Sequence, residues 1–114
     1  MHELGIVFSI MESVEALGKE NDLTKVSSVT LEVGEVSGIV PIFITDCWKW
    51  AVEKSPLLNG SELKVEPIKA VTFCNGCEKT YSTMEYKKIC PYCQSEDTYL
   101  LTGNEVNIKE IEAM

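Results

Sequence analysis

Four of the chain's five cysteines stand in two close pairs, "CNGC" (Cys74, Cys77) and "CPYC" (Cys90, Cys93), separated by "EKTYSTMEYKKI". Two C-x-x-C knuckles on a hairpin-sized connection bring four thiolates together as a tetrahedron, the geometry that Zn²⁺ accepts from sulfur. Gly76 and Pro91 favour the tight turns that aim successive backbone amides at sulfur. No histidine lies near, so a site built here is all-cysteine, and a closed four-sulfur site leaves no open position for a catalytic water. Its expected role is structural zinc binding. The same ligand set also suits a rubredoxin-like iron centre, which would make the protein a small electron carrier, because ligand geometry does not separate the two metals. A thioredoxin-like role is disfavoured, since neither pair sits between a strand and a helix of a βαβ unit. The fifth cysteine, Cys47, stands between Asp46 and Trp48 and is expected to be a small buried hydrophobe.

A second site is suggested by "MHE" at the start, where His2 is the single histidine. The α-amine of Met1, the backbone amide of His2 and its imidazole Nδ1 can close adjacent chelate rings in one plane. Planar nitrogen ligation is what Ni(II) or Cu(II) prefers. Glu3 can add an amide nitrogen or a carboxylate oxygen. A helix that begins here has four N–H groups without intrahelical acceptors, so a metal can engage these amides without breaking a ladder bond. The positive end of the helix dipole also disfavours the protonated imidazole. Spacing alone favours a plainer alternative, in which His2 and Glu3 are exposed terminal residues and Glu3 complements the dipole, because an X-His start is a weak motif.

The elements that must position these groups follow from periodicity. In "LGIVFSIMESVEALGKEN", Val7, Ile10, Met11, Val14 and Leu17 recur at the spacing of one helical face, which predicts a helix from about residue 3 to Gly18–Asn21. "KVSSVTLEVG" alternates, with Val29, Leu31 and Val33 on one side and Ser28, Thr30 and Glu32 on the other, as a half-buried strand does. After the turn "GEVSGIVP", Pro41 suits the first position of a second helix. A second strand runs through Leu63 and Val65 and ends or lies at an edge near Pro67. From Ala70 the aliphatics thin out; after Thr98 they return in "TYLLTGNEVNIKEIEAM", where Val106, Ile108 and Ile111 read as a last strand that rejoins the first part. The expected fold is therefore α+β: two helices packed on a small three-stranded sheet, with an inserted four-cysteine, zinc-ribbon-like module. The expected division is residues 1–69 plus 101–114 for the α+β domain and 70–100 for the zinc-binding domain.

Composition narrows the function. The chain has 114 residues, with 10 Lys plus Arg against 18 Asp plus Glu and a net charge of -8. That balance argues against nucleic acid and against an anionic membrane surface as partners, because both need a cationic footprint. A zinc-ribbon interaction adaptor that binds nucleic acid is disfavoured on the same ground. No secretory signal and no apolar run long enough to span a bilayer is present, so the chain reads as cytoplasmic. Thiols stay reduced there, which again favours metal ligation over disulfides.

The order "MHE", "VGEVSG", "SPLLNGSELKVE", "CNGC", "CPYC" and "LLTGNEVNIKEIE" resembles the HypA/HybF family of hydrogenase maturation proteins over essentially the whole chain. The resemblance implies a non-enzymatic nickel metallochaperone that binds Ni(II) transiently in the α+β domain, residues 1–69 plus 101–114, and Zn(II) structurally. It implies delivery of nickel to the large subunit of [NiFe]-hydrogenase, together with the GTPase HypB, by a monomer or weak homodimer. His2 and Glu3 match the nickel ligands, with the Met1 amine available beside them, and Cys74, Cys77, Cys90 and Cys93 match the zinc ligands. Some members also use an aspartate near the end of the "GExS" loop. This chain offers Val40 there, and Glu35, the nearby carboxylate, is not assigned to the metal. Where some members carry histidines after the zinc cysteines, this chain has Glu78 and Gln94.

Overall fold

The computed structural model describes residues 3–114. Its elements run α1 (Glu3–Glu20), β1 (Val26–Gly34), α2 (Pro41–Ala51) with a 3-10 turn (Val52–Lys54), and β2 (Glu62–Ile68). After them come β3 (Val71–Cys74), β4 (Thr80–Ser82), the one-turn α3 (Thr83–Tyr86), β5 (Thr98–Thr102) and β6 (Val106–Ala113). They form two three-stranded sheets, ordered β2-β1-β6 and β4-β3-β5. The chain divides into two compact units. The first comprises Met1–Glu32, Ile39–Glu66 and Asn107–Met114; the second comprises Val33–Gly38 and Pro67–Val106. Helices with one sheet and a four-cysteine module with another make up the expected α+β architecture. The second unit is larger than the expected 70–100 insert. Gly34, Glu35 and Val36 donate backbone hydrogen bonds to Glu105, Ile68 and Gly103, which ties the loop after β1 to it.

In the first unit, α1 presents Val7, Ile10, Met11 and Val14 to the core at helical spacing. Leu17, expected on that face, is exposed, and Gly18 is buried in its place. A Cβ at Gly18 would come within 2.6 Å of the Leu57 side chain, so the helix packs closest where it has no side chain. Pro41 opens α2, where its missing N–H costs nothing, and α2 buries Ile44 and Trp48. The Trp48 indole N–H donates to the Ser61 hydroxyl at 3.0 Å, satisfying the one polar atom in a fully buried ring. Cys47, beside it, is only partly buried, because it sits on the flank of the helix and not on the core face.

β1 is the central strand of its sheet, and this changes its burial. Val26 N–H bonds to Leu57 O and Glu35 N–H to Ile68 O, so β2 runs alongside β1 in the same direction and α2 makes the crossover. Gly34 N–H bonds to Glu105 O and Thr24 N–H to Met114 O, so β6 runs the opposite way. Ser28 and Thr30 are therefore buried along with Val29 and Leu31, instead of alternating with them into solvent. Ser28 Oγ donates to the Glu112 carboxylate of β6. That contact, with the Lys64 ammonium at 3.2 Å, holds Glu112 below the usual carboxylate range.

In the second unit, β3 lies between two antiparallel neighbours, with Phe73 opposite Thr80 on one side and Tyr99 on the other. Phe73 and Tyr99 pack their rings 5.4 Å apart. A register shift between Val71 and Thr72 leaves Leu101 as the extra residue on β5. β5 pairs with β3, and β6, the expected last strand through Val106, Ile108 and Ile111, joins the first sheet. Gly34 and Gly103 meet at van der Waals distance: a Cβ on Gly34 would fall 2.0 Å from Gly103 O, and Gly103 has a φ of +113°. Among the described residues no helix is long and apolar enough to cross a membrane.

Candidate metal centre

The first knuckle is the turn between β3 and β4, and the second lies between α3 and β5. Their backbones are built alike. Glu78 N–H donates to Cys74 O at 2.9 Å and Gln94 N–H to Cys90 O at 2.8 Å. Cys74 N–H donates to Lys79 O at 2.9 Å, and Cys90 N–H to Ser95 O at 3.0 Å. The residue after each second cysteine adopts the left-handed conformation, with φ of 59° at Glu78 and 62° at Gln94. This shared winding turns amides toward sulfur; Tyr92 N–H reaches Cys90 Sγ at 3.4 Å. At Gly76 a Cβ would crowd Ser95 and, at 3.3 Å, Cys93 Sγ, so the residue lets one knuckle approach the other. The Lys79 ammonium lies 4.8 Å from the centre of the Tyr92 ring and links the two.

All four sulfurs lie within 4.8 Å of one another. Cys74 Sγ and Cys93 Sγ are 3.5 Å apart, and Cys77 Sγ and Cys90 Sγ 3.6 Å apart. These separations are far too long for the ~2.05 Å of a disulfide. They fit a tetrahedron around Zn²⁺, whose ~2.3 Å bonds to sulfur put the ligands about 3.8 Å apart. Cys74 and Cys90 are buried, Cys77 is partly buried and Cys93 exposed. Burial works against ionising Cys90, but the N–H groups of Cys93 and Tyr92 and the neighbouring thiols overcome it and bring its pKa down to about 6. For Cys93 the Ser95 amide pulls the other way, yet the Cys74 thiol, burial and the remaining sulfurs push it up to about 12. Cys77 is raised, chiefly by burial. The ligands must be thiolates to bind a metal, so metal binding at this cluster releases protons.

The cysteines are the one group among the described residues in which three or more His, Cys, Asp or Glu side chains could share a metal. His2 and the Met1 amine lie outside the described residues. Glu3 is the first residue of α1 and supplies an acidic side chain to its first turn. Glu35 is engaged elsewhere: its carboxylate accepts the Ala70 N–H at 2.6 Å. Val40 is the N-cap of α2, a position without a side-chain hydrogen bond. The sequence reading misses the left-handed residues Glu78 and Gln94 and the Lys79–Tyr92 pair. Their shared place, one residue after each C-x-x-C, is the available signal for the first two.

The sequence profile of the family described as hydrogenase/urease nickel incorporation, metallochaperone, HypA matches residues 1–113. A hydrogenase maturation factor HypA of Geobacter metallireducens is 34% identical over 112 residues, covering 98% of each chain. One from Actinobacillus succinogenes is 32% identical over 111 residues, covering 97% of each. Among solved structures, the nickel metallochaperone HypA from Helicobacter pylori superposes with a TM-score of 0.75 at 23% identity, over 100% of this chain and 98% of that one.

Proposed function

We propose, from the premise that this chain belongs to the HypA family of hydrogenase/urease nickel-incorporation metallochaperones, that it carries Ni(II) at its amino terminus and delivers it to [NiFe]-hydrogenase. The observation that carries this reading is the family match over residues 1–113, which includes the terminal "MHE" and both cysteine pairs. His2 supplies imidazole and backbone nitrogen, Glu3 an amide nitrogen or its carboxylate, and the Met1 amine completes the chelate. Support for Glu3 comes from its place: α1 begins there, so its N–H belongs to the set without intrahelical acceptors. Cys74, Cys77, Cys90 and Cys93 hold a resident Zn(II) whose closed sulfur set does no catalysis. Residues 1–69 with 101–114 form the nickel-binding domain, and 70–100 the zinc-binding domain. The protein is a cytoplasmic carrier and not an enzyme, and its partners are the large subunit of the hydrogenase and the GTPase HypB.

Metal analysis and Ni(II) calorimetry on protein with its native start test the reading. One resident zinc and one exchangeable nickel are expected. His2→Ala, or an amino-terminal extension that moves the α-amine away, should weaken nickel binding at least tenfold with zinc unchanged. Equal nickel affinity in both variants overturns the terminal site. A red protein with iron in place of zinc overturns the carrier reading in favour of electron transfer.

A further inference from the structure

The chain has five asparagines, and two of them, Asn59 and Asn75, are followed by glycine. Such a pair lets a backbone amide attack the preceding side chain, because glycine has no Cβ to shield its nitrogen and turns freely. Both pairs lie in exposed turns, yet they are held differently. Asn75 is fastened twice: its N–H donates to Asp97 O at 2.9 Å and its side-chain amide to the Asp97 carboxylate at 3.2 Å. Gly76 is pressed against the second knuckle, where a Cβ would stand 3.1 Å from Ser95 Cβ and 3.3 Å from Cys93 Sγ. Asn59 and Gly60 have no such restraint. Among the described residues nothing accepts the Gly60 N–H, and nothing bonds the Asn59 side-chain amide. A Cβ at Gly60, which has a φ of +81°, would meet nothing within 4 Å. The pair opens onto a cleft of about 520 Å³ that Lys49 also lines. The Lys25 ammonium donates to Asn59 O, the carbonyl oxygen of the same peptide unit as the Gly60 nitrogen.

We propose that Asn59–Gly60 is a self-modifying site, at which the Gly60 nitrogen attacks Asn59 Cγ and the asparagine becomes aspartate and isoaspartate, with Lys25 promoting the attack. The bond from Gly60 N to Cγ forms, the Cγ–Nδ2 bond breaks, and the Gly60 amide proton ends on the departing nitrogen. Ammonia leaves, and a cyclic succinimide remains. Water, the one co-reactant, then adds to either ring carbonyl. Opening at Cγ gives aspartate; opening at the backbone carbonyl gives isoaspartate, whose chain runs on through Cγ. No electrons change hands. The attack requires Gly60 to give up its proton, and the negative charge of the resulting amidate is shared onto Asn59 O. The Lys25 ammonium already sits on that oxygen, so it favours the amidate. At Asn75 the nearby charge has the opposite sign, and the two bonds to Asp97 hold the residue back from the approach that ring closure needs. An unhindered approach and a cation on the conjugate oxygen thus meet at one pair and not at the other. The product places a carboxylate in the turn that leads into β2, two residues before Ser61, whose hydroxyl accepts the Trp48 indole N–H. Isoaspartate also lengthens the backbone of that turn by one carbon. The mark accumulates with the age of the molecule and needs no metal.

Peptide mapping by mass spectrometry of the zinc-loaded full chain, aged in warm, mildly alkaline buffer, tests the proposal. Asn59 is expected to convert to a mixture of aspartate and isoaspartate at least roughly tenfold faster than Asn75, and faster still as hydroxide rises. This comparison lies within one molecule, so no variant has to fold for it. Gly60→Ala should slow the conversion at least roughly tenfold, because a Cβ then shields the attacking nitrogen. Lys25→Gln keeps a hydrogen-bond donor without the charge and should slow it about threefold, the scale of one exposed charge. Equal rates at Asn59 and Asn75 overturn the proposal. Aspartate without isoaspartate overturns it as well, since that outcome is direct hydrolysis of the side chain. An unchanged rate in the Lys25 variant overturns the part given to Lys25.

Discussion

The two units bury different things. In the first, the fully buried side chains include Val7, Val14, Val26, Val29, Leu31, Ile44, Trp48, Val52 and Leu58, drawn from both helices, the central strand and the segment before β2. In the second, the buried cluster is Cys74, Tyr81 and Cys90, with Cys77 packed against it. Each fully buried aliphatic or aromatic side chain contributes about 1.5–3 kcal/mol, so the first unit can hold itself by exclusion of water. That cluster, even with Val33 and Ala70 buried elsewhere in the unit, offers far less apolar burial. The second unit needs a bond-forming partner at its centre, and its four sulfurs supply the ligands. Small domains below about 40 residues ordinarily rely on such a device, and this module stands little above that size.

The sharpest way to break this contrast is to remove the metal. Chelation of zinc, or Cys74→Ser, should abolish slow hydrogen exchange in β3, β4 and β5 while α1 and β1 keep theirs, because binding free energy at a structural zinc site, about 10–16 kcal/mol in small zinc-dependent folds, is folding free energy. An ordered β3–β5 sheet after complete chelation would erase the distinction. The converse is expected from Leu31→Ala, a fully buried position of β1. It should cost about 2–5 kcal/mol of the first unit's stability, read by thermal or denaturant unfolding, with zinc stoichiometry intact. Loss of zinc in that variant would mean that both units depend on the same core. The smallest effect is expected at Gln94, whose φ of 62° suits glycine better than glutamine. Gln94→Gly should relieve about 1 kcal/mol of backbone strain, seen as roughly fivefold stronger retention of zinc against a chelator.

The same contrast explains what can be read from the residues in order. α1 is legible through Val7, Ile10, Met11 and Val14, since a helix on a core must repeat its apolar residues at that spacing. The cysteine pairs are equally legible, because metal ligation demands residue types that nothing else does. Ser28 and Thr30 fall on the wrong side in the sequence reading, since alternation describes a strand with one wet face and β1 is the middle strand of three. β5 is only half legible: "TYLLT" carries no mark of which neighbour it pairs with, and the expected division cuts it between Leu100 and Leu101. Gly18 escapes notice because close packing is achieved there by having nothing to pack. The terminal "MHE" is readable as chemistry but has no periodic or geometric partner elsewhere in the chain.

The matching hydrogen bonds of the two knuckles also bear on how the module is made. Each is a local turn whose bonds span only four or five residues, so it can form before any strand of its sheet has paired. One knuckle can then capture the ion as a two-toothed claw. Its twin is tethered by the intervening segment and arrives at an effective concentration in the millimolar range. Closure of the second claw, and with it the docking of β5 on β3, becomes the late event in the life of the module, timed by the ion rather than by the chain.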